Sequence, residues 1–62
     1  MMHVLKRIAV PGEHKLITSI EVGQTARRNY AYRVLWKGGP PSMWFEGFPT
    51  SDSAEKAGLA WV

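Results

Sequence analysis

Glycine and proline cut this 62-residue chain into pieces too short for anything but strands, except at its C-terminal end. Pro11-Gly12, Gly23 and Gly38-Gly39-Pro40-Pro41 fall between runs in which apolar and polar residues alternate, which is where breakers belong. Two successive prolines carry no N–H donors, so no ladder runs through Pro40-Pro41. The chain therefore has to turn there.

The intervening runs read as strands. His3 to Val10 alternates, with Val4, Lys6, Ile8 and Val10 on one side and His3, Leu5, Arg7 and Ala9 on the other. Lys6 and Arg7 suit an edge position, because charges there discourage pairing with a second sheet. Pro11-Gly12 fits the centre of a turn, and Lys15 to Val22 follows with Leu16, Ile20 and Val22 on one face. Gly23 to Arg28 is a polar connection with Arg27 and Arg28 near its tip.

Asn29 to Lys37 carries the strongest strand signal. Tyr30, Tyr32, Val34 and Trp36 recur at spacing two, and aromatic and β-branched types suit a half-buried pleated surface. Ala31, Arg33, Leu35 and Lys37 face the other way. Ser42 to Phe48 is expected to return antiparallel, with Met43 and Phe45 on one side and Trp44 and Phe48 on the other.

Helix signals are confined to the end. Thr50, Ser51 or Asp52 can cap an N-terminus, Asp52 and Glu55 suit the first turn, and Ala54, Ala57, Gly58 and Trp61 share a face. That stripe is small apart from Trp61, so the helix can approach a sheet closely, and such packing offsets the cost of about 1 kcal/mol for Gly58. The expected fold is α+β: a three- to four-stranded antiparallel meander with one C-terminal helix packed on one face, forming a single small domain over residues 1–62.

Composition and spacing weigh against catalysis. There is no cysteine, so disulfides, thiolate metal sites and cysteine nucleophiles are excluded. His3 and His14 lack a second ligand at metal spacing, and the carboxylates Glu13, Glu21, Glu46, Asp52 and Glu55 are scattered. Ser19, Ser42, Ser51 and Ser53 have no nucleophile-elbow context, and Gly38-Gly39 is followed by prolines rather than by a helix that would cradle phosphate. No enzyme, no cofactor and no metal is expected. No run approaches the roughly 20 apolar residues of a membrane span, and the expectation is a cytoplasmic protein without membrane contact.

From Asn29 to Trp61, two strands joined by a short glycine-containing turn lead through Phe48-Pro49-Thr50 into Ala54-Glu55-Lys56-Ala57. This half of the chain resembles the arm-type N-terminal DNA-binding domains of tyrosine integrases and the AP2-like small domains. The matching residues are Tyr32-Arg33-Val34, Phe48-Pro49-Thr50 and Ala54. The resemblance implies a sheet that docks on DNA with the helix behind it, in a stand-alone binder of the kind phages and mobile elements encode. Met43 to Phe48 departs from that pattern, with no cation and one acid.

Eight Lys and Arg against five Asp and Glu give a net charge of +3, which favours an anionic partner. The first expected function is nucleic-acid binding through an open sheet face and a basic hairpin, with Arg27, Arg28, Arg33, Lys37 and Lys15 as contacts. The alternative is a protein-interaction module, an inhibitor or accessory subunit, anchored by Trp44, Phe48 and Leu35. Three Trp, two Phe and two Tyr exceed what one short helix covers, so a homodimer through the open face is a further expectation.

Overall fold

Four strands and a helix follow one another along the chain: β1 (His3–Ala9), β2 (Ile17–Gln24), β3 (Tyr30–Trp36), β4 (Phe45–Phe48) and α1 (Ser51–Leu59). They belong to a computed structural model that describes residues 2–10 and 16–62. The turn expected at Pro11-Gly12 and the candidate contact Lys15 lie outside the described residues. The strands form one antiparallel sheet in the order β1-β2-β3-β4, a meander with α1 across one face, as the breaker pattern led us to expect.

The helix-side face holds the core. Ile20 pairs with Val34 and Val22 with Tyr32, and Ile20, Val22 and Val34 are fully buried. Each such side chain contributes roughly 1.5–3 kcal/mol when removed from water. Ala54 and Gly58 are the buried residues of α1 and set its close approach. A Cβ on Gly58 would lie 2.6 Å from Ile20 Cγ2 and 3.1 Å from Tyr32 Cδ1, so glycine is required by contact rather than by backbone angle. Thr50 caps the helix reciprocally: its Oγ1 accepts from the Ser53 N–H at 3.1 Å, while Ser53 Oγ accepts from the Thr50 N–H at 3.2 Å. Just beyond α1, Trp61 donates from Nε1 to the Tyr32 hydroxyl at 2.8 Å and meets Trp36 edge-on at 6.0 Å between centroids.

Three irregularities in pairing shift the faces that strict alternation assigns. Between Val4 and Lys6, Leu5 is the extra residue, so Val4 pairs with Gly23 and sits on the Arg7 side rather than with Lys6 and Ile8. Between Ile17 and Ser19, Thr18 is extra, so Ile17 opposes Trp36 and is buried while Leu16 remains 65% exposed. On β4, Tyr32 pairs with Phe45 and Tyr30 with Phe48, so Glu46 and Gly47 stand against Ala31 alone, and Gly47 adopts φ 100°. Phe45 and Phe48 therefore share the helix side, with ring centroids 5.0 and 5.7 Å from Tyr32. Phe48 is thus separated from Trp44 instead of sharing a face with it.

β4 is also shorter than the run Ser42 to Phe48. Behind the two prolines the backbone meets β3 at one residue, where Ser42 N–H donates to Val34 O at 2.9 Å and Ser42 Oγ accepts from Val34 N–H at 2.9 Å. The hydroxyl takes the place of a ladder carbonyl, and regular pairing resumes only at Phe45.

Candidate functional site

The face opposite α1 is built on one cross-strand row. Arg7 of β1 pairs with Glu21 of β2, and Glu21 pairs with Arg33 of β3, so three charged side chains stand side by side on the same surface. Glu21 is buried, and each of its carboxylate oxygens is used. Oε2 accepts from Arg7 Nη2 at 2.9 Å and from Arg7 Nε at 3.3 Å, and Oε1 accepts from Arg33 Nε at 2.6 Å. Burial pushes the Glu21 carboxyl up, but the hydrogen bonds and charges of Arg7 and Arg33 outweigh it and hold the group below its ordinary value. Glu21 is therefore ionised at neutral pH and anchors both guanidinium groups.

Trp44 completes the surface. It precedes β4, and Arg33 Cζ lies 4.7 Å from the centroid of its ring, a cation–π contact that fixes the plane of the guanidinium. The Arg33 side chain is 28% exposed and that of Arg7 63% exposed, so both present N–H groups to solvent from fixed positions. Leu35 lies along the same face opposite Ser19 and is half-buried. Val4 and Met43 are exposed apolar residues, 44% and 74% accessible.

A second basic element stands at the end of the β2–β3 hairpin. Thr25 N–H donates to Asn29 O at 2.8 Å and Arg28 N–H to Thr25 O at 3.0 Å, closing a tight turn over Ala26 and Arg27. Thr25 Oγ1 accepts from the N–H groups of Arg27 and Asn29, each at 3.2 Å. Arg28 has φ 65°, the left-handed conformation that glycine or asparagine ordinarily occupies. Arg27 and Arg28 are both exposed. Arg27 also borders an open depression of about 490 Å³ shared with Met2, Asn29 and Glu46.

Arg33, Leu35 and Trp44 thus come together on the open face, Arg27 and Arg28 form a separate tip, and Lys37 is exposed just beyond β3. Phe48 joins the core side. Arg7 and Glu21 are the functional candidates that reading the sequence missed. Their signal was opposite charge at three cross-strand positions, which becomes visible only when the register is known.

Among the described residues no three His, Cys, Asp or Glu gather to hold a metal ion, and no helix is long and apolar enough to cross a membrane. No family model, no curated protein and no solved structure matches this chain.

Proposed function

We propose that this is a non-enzymatic nucleic-acid-binding protein of the cytoplasm that lays the sheet face opposite α1 on the duplex and grips its backbone with the Arg27-Arg28 hairpin. The observation that carries this reading is the Arg7–Glu21–Arg33 row with Trp44 beside it. A free arginine loses rotamer entropy when it meets phosphate or a base edge; guanidinium groups already held by a carboxylate and an indole lose less. Arg33 uses its Nε–H on Glu21, which leaves its two terminal nitrogens for a ligand. The net charge of +3 and the likeness of the strand, strand and helix order to integrase arm-type and AP2-like domains support the same reading.

Anisotropy of labelled duplex DNA at about 50 and about 200 mM salt tests it, since phosphate contacts lose affinity over that span. Micromolar binding that weakens steeply with salt is expected. Replacing Arg27 and Arg28 together by alanine lowers affinity for every sequence and reduces the salt slope by about 2, whereas Arg33→Ala changes the preference among sequences. Absence of binding at the lower salt would overturn the assignment.

The exposed side chains of Met43 and Val4 favour a second reading, in which Trp44 and Leu35 anchor a protein partner and the arginines form a polar rim. Under that reading Trp44→Ala abolishes partner capture, and DNA does not compete.

A further inference from the structure

The sheet has two edges, and only one is protected. β4 is four residues long, carries the bulge at Gly47 and follows Pro40-Pro41, all features that discourage further pairing. β1 is seven residues long, and Lys6 to Ala9 pair with β2 in unbroken register. Its outer side meets no strand among the described residues. α1 packs over β2, β3 and β4, and every residue of β1 except Ile8 is exposed.

Lys6 and Arg7 are the charges that should keep such an edge apart from others. The structure draws both away from it. Lys6 is paired with Glu55 of α1 on one face, and Arg7 with Glu21 of β2 on the other. Each cation is engaged by a carboxylate of its own chain and held out of the plane in which a new strand would add. Val10 N–H donates to Thr18 O at 3.0 Å, so by alternation the N–H groups of Lys6 and Ile8 face β2. Those of Arg7 and Ala9 point outward.

We propose that the outer edge of β1 pairs antiparallel with β1 of a second copy, producing a two-fold dimer with one continuous eight-stranded sheet. A second copy is the occupant because an antiparallel strand is self-complementary about a two-fold axis. Each copy also brings a carboxylate for each of its own Lys6 and Arg7: Glu55 cancels Lys6, while Glu21 is shared between Arg7 and Arg33. One positive charge per copy therefore remains beside the seam and is screened as salt rises. The axis lies perpendicular to the sheet, which places both Arg7–Glu21–Arg33 rows on the same side. A dimer through the open face would cover those rows; the edge dimer leaves them exposed. The contact is small, which puts it among weak, reversible associations.

Sedimentation equilibrium of the full chain between about 10 μM and about 1 mM tests the proposal, the concentration range in which small interfaces associate. The apparent mass is expected to rise from 7.0 kDa toward twice that value. Ala9→Pro removes an outward N–H while leaving those that face β2, and is expected to weaken association at least about tenfold. Leu5→Lys places an unpaired cation at the exposed bulge without removing any backbone donor, and decides the matter if Ala9→Pro fails to fold. It is expected to lower association in dilute salt, with recovery as salt rises. A chain that stays at monomer mass at about 1 mM, or a dimer that every folded one of these variants leaves unchanged, would overturn the proposal.

Discussion

Arg28 shows a conflict between conformation and composition at a single residue. Its φ of 65° costs an L residue roughly 1–2 kcal/mol relative to glycine, yet the turn that requires it carries two exposed arginines. Strain of this kind is kept where the side chain serves another end. Arg28→Gly is therefore expected to raise the urea midpoint, by about 1 kcal/mol in stability, while lowering affinity for duplex DNA. Equilibrium unfolding followed by tryptophan fluorescence checks the first half and anisotropy the second. A variant that is less stable than the parent would refute the account of the turn.

At the scale of elements, α1 and the sheet meet through the absence of a side chain. Gly58 lowers helix propensity, but any Cβ there runs into Ile20 and Tyr32. Gly58→Ala should thus destabilise the protein by about 1–3 kcal/mol despite improving the helix. An unchanged or raised thermal midpoint would show that the helix shifts at little cost. The strands teach a related lesson. Alternation placed Tyr30, Tyr32, Val34 and Trp36 correctly on one face of β3, because β3 contributes no extra residue to its ladders. It misplaced Val4, Leu16 and Phe48, and each of these lies at or beyond a bulge in its own strand. An inserted residue changes the parity of everything past it, and the pairing partner that reveals the insertion is many positions away in the chain.

In the whole molecule, Glu21 ties three strands together through two arginines, and its titration couples that row to stability. Its folded carboxyl titrates below the unfolded value of about 4.5, so the stabilisation is fully present above that value. It is lost as pH falls through the depressed folded value, leaving Arg7 and Arg33 adjacent without their counter-charge. Urea midpoints measured between about pH 6 and about pH 3 should fall more steeply for the parent than for Glu21→Gln. Parallel profiles would show that the row contributes no pH-dependent stability. The same acidification should loosen the open face and reduce any binding that depends on fixed guanidinium groups.

The amino-acid sequence by itself determined the meander and its helix. Breakers at Gly23 and Gly38 to Pro41, alternation along β3 and the Thr50 cap are local signals, each readable within a few residues. It also marked Arg27 and Arg28 as a basic tip, because a hairpin loop is a local structure. The Arg7–Glu21–Arg33 row, the placement of Trp44 against Arg33 and the pairing of Lys6 with Glu55 were decided only by tertiary structure. Each joins residues from different strands, or from a strand and the helix. Which residues meet across the sheet depends on register, and register depends on bulges whose positions the whole assembly selects.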